Sequence, residues 1–348
     1  MQVKTAKAAI LAESRKPLIV DEIRLPDALD VGQVLVKVLY STICGAQLNE
    51  IAAAKGPDKF LPHLLGHEAS AKVLEIGPGV TSVKPEDTVV LHWRPSPGIQ
   101  CRPPTYTWRG AKLNAGWVTT FNEYAAVSEN RMTVIPRNSD MKIAPLFGCA
   151  ITTAAGVISN DAKLKLGESV VVFGVGGVGL NVIQFAELAG ANPVIAVDLI
   201  DEKLEMAKQR GATHVVNASR SDVVSEIRGV VGEAGPDKVI ETTGVKSVIE
   251  QAYELTHADG TCVLVGVPSE KVSIYTLPIH FNKTLTGSHG GSARPHVDIP
   301  RIMRLADAGR VSFEGIITDE FALDEVNTAL DKMRSGRSGR ILLRIDSR

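Results

Sequence analysis

Apolar and polar positions alternate along the first part of the chain and change rhythm near residue 165. Before that point the pattern has period two. "QVLVKVLYS", "EASAKVLEIG" and "DTVVLHW" alternate, are rich in β-branched residues, and are separated by turn chemistry such as "GPGVTSVKPED". Successive strand side chains face opposite ways, so this texture predicts short strands with one buried face. After residue 165, "SVVVFG" is a continuous apolar run, as expected of a strand covered on both faces. "LNVIQFAELAGA" follows with apolar residues at helical spacing and a glycine near its end. "PVIAVD", a helix in "EKLEMAKQRGA", "HVVNA", another helix, "KVIETTG", "TCVLVGV" and "KTLTGS" continue the series. Such alternation predicts right-handed crossovers and an open parallel sheet. Two helices, around "DIPRIMRLADAG" and "LDEVNTALDKMRSG", and a strand "RILLRI" close the chain.

A length of 348 residues suits two domains. The 38 Lys and Arg against 39 Asp and Glu form no basic stripe, which argues against a nucleic-acid partner. No apolar run is long enough to span a bilayer, and the N-terminal stretch lacks the pattern of a signal peptide. The expectation is a cytoplasmic protein without a membrane partner. Cysteines 44, 101, 149 and 262 are too scattered for a disulfide framework, so their candidate roles are ligand, nucleophile or packing.

The strongest motif is Gly174-x-Gly176-x-x-Gly179, with Gly177 and Val178 inside it, set between the strand "SVVVF" and a helix. The first glycine permits a tight turn, the second lets the backbone approach a pyrophosphate, and the third lets helix and strand pack closely. Asp198 ends the next strand nineteen residues after Gly179, where it can accept from both ribose hydroxyls. Its charge opposes a 2′-phosphate, and NAD is favoured over NADP.

With that fingerprint in place, the chain resembles the zinc-dependent medium-chain dehydrogenase/reductase family of the alcohol dehydrogenase type. The resemblance runs the full length and rests on Cys44, "GHE" at 66–68, "TFNEYA" at 120–125, "GCAITTAAG" at 148–156, the fingerprint and "SGRSGRILLRI". It implies an α/β fold: a GroES-like, mostly β catalytic domain at 1–151 and 289–348, and a Rossmann doubly wound parallel-sheet domain at 152–288. It implies one catalytic zinc held by Cys44, His67 and Cys149, with the acid Glu68 beside the metal. Two thiolates and an imidazole leave an open position suited to a Lewis-acid role. The resemblance also places Thr153, Val178, Lys203, Val265 and Arg340 near NAD, and Trp93 in a substrate pocket.

Three departures stand out. Where the family carries a hydroxyl and a histidine to relay the alcohol proton, this chain has Ala46 and Asn49, and Gln47 replaces the acid that bonds the zinc-ligating histidine. His92 is a candidate substitute for the relay. Many relatives bear four cysteines in the lobe after residue 95, where this chain has only Cys101, so no structural zinc is expected. That lobe instead carries Tyr106, Trp108 and Trp117 with Arg102 and Arg109, suited either to a polyhydroxylated or anionic substrate or to packing on itself or on a partner subunit. The leading reading is an NAD-dependent zinc dehydrogenase of a secondary or polyol-type alcohol. A reductase of an activated C=C or C=N bond with a vestigial or positioning metal, and a non-catalytic dinucleotide-binding protein, remain alternatives. "VSIYTLPIHF" at 272–281 suggests a homodimer, with a tetramer as the larger possibility.

Overall fold

The continuous apolar runs after residue 165 form a six-stranded sheet that is parallel throughout. Its spatial order is His214–Asn217, Val194–Asp198, Val170–Phe173, Lys238–Glu241, Thr261–Leu264 and Thr284–Gly287. The chain starts in the middle, builds outward to one side and then to the other, so the order reverses beside Val170–Phe173. Val170, Val171, Val172, Ile195 and Ile240 are fully buried because helices cover both faces. Those helices include Gly179–Leu188, Asp201–Gln209 and Val223–Val231, as the helical spacing predicts. Lys246–Leu255 is a further helix that charged positions disguise; it buries Ile249, Ala252, Tyr253 and Leu255.

The structure, a computed structural model, describes residues 1–54 and 56–346. It divides into two units: Met1–Cys149 with Arg294–Arg304 and Phe313–Arg348, and Ala150–Ala293 with Leu305–Ser312. The parallel sheet belongs to the second.

In the first unit Gln33–Ile43 is the organising strand. It pairs antiparallel with Ala69–Ile76, Tyr124–Ser128 and Arg340–Arg344. Its alternation is real: Val34, Val36 and Val38 enter one cluster with Ala69, Ala71, Val73, Val89 and Leu91. The closing strand sets Ile341 opposite Ile43, so Arg340 lies level with the turn that begins at Cys44. A five-stranded sheet runs His63–Leu64, Thr5–Leu11, Ile19–Arg24, Tyr106–Trp108 and Ala111–Leu113. The last two form a hairpin whose turn residues Arg109 and Gly110 have φ of 51° and 77°, the handedness that suits a twisted two-residue connection. Ile317–Ala322, beside Arg340–Arg344, escapes sequence reading because Asp319 and Glu320 mask its alternation.

Candidate active site

Cys44 ends the organising strand and caps the short helix Gly45–Ile51. His67 follows Gly66, whose φ of +89° and contact with Thr120 leave no room for a side chain: a Cβ there would lie 2.2 Å from Thr120 Oγ1. Cys149 closes the 3-10 turn Ala144–Gly148. Three distant segments thus deliver two thiols and an imidazole whose donor atoms all lie within 4.8 Å of one another. His67 Nε2 is buried with no hydrogen-bond partner, a polar atom aimed where a metal ion would satisfy it. This donor set fits tetrahedral zinc with one position left open.

The electrostatics point the same way. The bond from Cys149, with His67 beside it, holds Cys44 well below the usual thiol range against the opposing effect of burial. The same contact and burial push Cys149 well above it. Burial depresses His67, but the neighbouring Cys44 outweighs it and leaves the imidazole raised. The opposed shifts set a thiolate beside a protonated imidazole, and a metal ion bound by the three residues would displace the protons they hold.

Glu68 does not join the three converging atoms. It is fully buried, and its Oε1 is paired with the Arg340 guanidinium, which also donates to Thr42 Oγ1 at 2.9 Å. Burial drives the Glu68 carboxyl upward against the pull of Arg340. Arg340, expected near the cofactor's pyrophosphate, is 4% exposed and bound into this buried pair. Nothing local announces it, since Thr42 and Glu68 lie 298 and 272 residues away in the chain.

Gln47 sits 1% exposed beneath the cluster, with Nε2 2.6 Å from His67 Nδ1 and Oε1 accepting the Cys44 N–H at 2.8 Å. Ala46 and Asn49 are exposed on the same helix. His92 is fully buried, with its ring nitrogens bonded to the Arg94 carbonyl at 2.7 Å and Thr133 Oγ1 at 2.9 Å. Burial drops its pKa to about 4. Neither nitrogen is free to take a substrate proton, which removes His92 as the substitute relay. Trp93 is half-buried under the Arg94 guanidinium.

The lobe after residue 95 packs on its own unit. Trp108 and Arg109 both donate to Asp21, and Trp117 donates to the Cys101 carbonyl while stacking on Arg131. Cys101 is buried, and burial pushes its thiol up. Cys262 lies fully buried in its strand, its thiol pushed up to about 12.

In the second unit the fingerprint turn is closed in the way its glycines require. Gly174 has φ +88°, and a Cβ on Gly179 would stand 1.9 Å from the Gly174 carbonyl oxygen. A Cβ on Gly176 would meet nothing within 4 Å, so the space above the turn, beside Gly177 and Val178, is open to a phosphate. Thr242 locks this turn from the next strand by donating to the carbonyls of Phe173 and Gly174, both at 2.9 Å. Sequence reading missed it; a threonine directly after a strand is its only local trace. Asp198 accepts from Val175 N at 2.7 Å and from Leu199 and Ile200. Val265 follows the strand Thr261–Leu264, at the same carboxyl-end edge of the sheet as Gly174 and Asp198. Thr153 is buried on Ala150–Gly156, and Lys203 is half-buried on Asp201–Gln209. The turn and its acid fit a dinucleotide. Among the described residues, no helix is long and apolar enough to cross a membrane.

Comparison with known proteins matches two stretches of the chain to family models. Residues 30–137 match the alcohol dehydrogenase GroES-like domain, and residues 177–308 match the zinc-binding dehydrogenase family. S-(hydroxymethyl)glutathione dehydrogenase of Paracoccus denitrificans is 31% identical over 371 residues, covering 95% of this chain and 97% of that protein. Benzyl alcohol dehydrogenase of Acinetobacter calcoaceticus superposes with a TM-score of 0.88 at 26% identity, covering 99% of this chain and 100% of the other. The 2R,3R-butanediol dehydrogenase of Bacillus subtilis gives 0.78 at 28%, covering 98% and 100%. The chain belongs to the zinc-dependent medium-chain dehydrogenase/reductase family of the alcohol dehydrogenase type, and is an oxidoreductase of that family.

Proposed function

We propose that the protein transfers hydride between a polar secondary or polyol-type alcohol and NAD, with one catalytic zinc per chain and no structural zinc. The observation that carries this reading is the convergence of Cys44, His67 and the Cys149 thiol around an unpartnered imidazole nitrogen. Zinc held by these three residues would supply a Lewis acid that acidifies the alcohol. The unit built on the parallel sheet, residues 152–288 in our reading, is the dinucleotide-binding domain. Asp198 selects NAD because a 2′-phosphate would bring negative charge against a carboxylate already ordered by three backbone N–H groups.

The chain's own residues bear on where the alcohol proton goes. Ala46 has no hydroxyl, and the Asn49 amide cannot titrate near neutrality. Ser41 Oγ is committed to the Glu68 carbonyl and Thr120, and Thr42 Oγ1 to Arg340. Both ring nitrogens of His92 are engaged. With these side chains engaged, the proton leaves through ordered water or a neighbouring hydroxyl of the substrate, and the second route favours vicinal diols and sugars. The relatives named above include a butanediol and a benzyl alcohol dehydrogenase, so their names alone do not choose between substrate classes. Following NADH absorbance across a panel should show diols or sugars oxidised at least about tenfold faster than monoalcohols of similar size, roughly 1.4 kcal/mol of barrier. Ethanol or 2-butanol reacting as fast as any diol would refute the proton argument.

We also read the assembly as a homodimer. Tyr275, Leu277, Ile279 and Phe281 are exposed by 71%, 48%, 42% and 67%, an apolar run beside the edge strand Thr284–Gly287.

A further inference from the structure

The Cys44 N–H and the His67 ring nitrogen Nδ1 converge on one buried amide at the metal cluster. The Cys44 N–H donates to Gln47 Oε1, while Gln47 Nε2 stands 2.6 Å from His67 Nδ1. Gln47 is 1% exposed. A histidine that holds a metal through Nε2 keeps its proton on Nδ1 and needs an acceptor there. Nε2 is the ring nitrogen the protein leaves unpartnered, so Nδ1–H is the form that metal binding demands. A primary amide has an accepting end and a donating end. With Oε1 toward Cys44, the NH2 group faces Nδ1–H; rotated the other way, it faces the Cys44 N–H. No orientation satisfies both donors, whereas a carboxylate of the same length accepts from both.

We propose that Gln47 is a positioning residue that loosens this chain's own metal site, because its single accepting end is contested by His67 and by the backbone of the ligand Cys44. The inference rests on the zinc reading above. Cys44 and Gln47 lie three residues apart in one capped turn, so the conflict acts on a ligand through its own backbone. The zinc is held less tightly than the ligand set alone would hold it.

The test is zinc affinity by chelator competition on the full chain, for the wild type, Gln47→Glu and Asn49→Asp. Gln47→Glu should bind zinc about 10–100-fold more tightly. Asn49→Asp adds the same charge two positions along the helix and should change affinity by less than about threefold. In the wild type, zinc loading should shift the Cys44 amide proton upfield as its acceptor turns to His67, a reading that needs no variant. Equal affinity of wild type and Gln47→Glu, equal gains in the two variants, or an unmoved Cys44 proton would each overturn the proposal while leaving the zinc reading standing. Failure of both wild type and Gln47→Glu to take up zinc would overturn the zinc reading as well.

Discussion

The dinucleotide turn and the metal cluster are built in opposite ways. Gly174, Gly176, Gly179 and Asp198 occupy one short stretch of chain, and the turn is fixed by backbone shape. Cys44, the adjacent pair His67 and Glu68, Cys149 and Arg340 come from four separate segments, and the cluster is fixed by the register of strands far apart in sequence. The first site keeps every element its family fingerprint requires. The second has the three ligands that the family resemblance implies, but Ala46, Gln47 and Asn49 stand where that resemblance leads to a hydroxyl, an acid and a histidine. A site made of one contiguous motif has little freedom to drift. A site whose ligands come from a strand end, a loop and a 3-10 turn can hold them while the exposed neighbours Ala46 and Asn49 vary.

The contrast predicts different consequences of mutation. Arg340→Met leaves the Glu68 carboxylate buried and unpaired, and should lower unfolding stability by about 3–5 kcal/mol in urea titrations. Adding Glu68→Gln should restore most of it. If Arg340→Met alone is silent, the ion pair does not hold the metal-site unit together.

His92 sharpens the same side of the comparison through pH. Its folded pKa of about 4 lies below the ordinary 6.5, so the unfolded chain takes up its proton first on acidification. Its contribution is complete above pH 6.5 and declines as pH falls toward 4, by about 3 kcal/mol in all at 1.36 kcal/mol per pH unit. Stability of wild type measured between pH 7 and 4 should fall more steeply than that of His92→Asn. Parallel slopes would show that the ring is solvated in the folded protein.

Asp198→Ala addresses the other site, where the effect is smaller. Removing the carboxylate should narrow the preference for NAD over NADP by about tenfold, or 1.4 kcal/mol, in kcat/KM. Unchanged discrimination would mean that the strand end does not read the ribose.

How much of this was legible in the sequence follows from the same contrast. The parallel sheet announced itself because strands buried on both faces are continuous apolar runs, and Gly174 to Asp198 carry their chemistry in order along the chain. The three proposed metal ligands are legible only through family motifs, since no spacing links residues 44, 67 and 149. Arg340 was assigned toward the cofactor, and its pairing with Glu68 depends on a strand register that no local pattern encodes. The tryptophans and arginines of the 95–117 lobe left substrate binding and self-packing both open; for Trp108, Arg109 and Trp117 the partners are Asp21, the Cys101 carbonyl and Arg131. Strand Ile317–Ala322 was hidden by its acids.

We propose that Cys44, His67 and Cys149 hold the one zinc that the chain binds. Elemental analysis of protein never exposed to chelator, alongside Cys149→Ser, measures this directly. The wild type should hold one zinc per chain, and Cys149→Ser should retain none after buffer exchange. Two zinc ions per wild-type chain, or none, or full retention by Cys149→Ser, would contradict it.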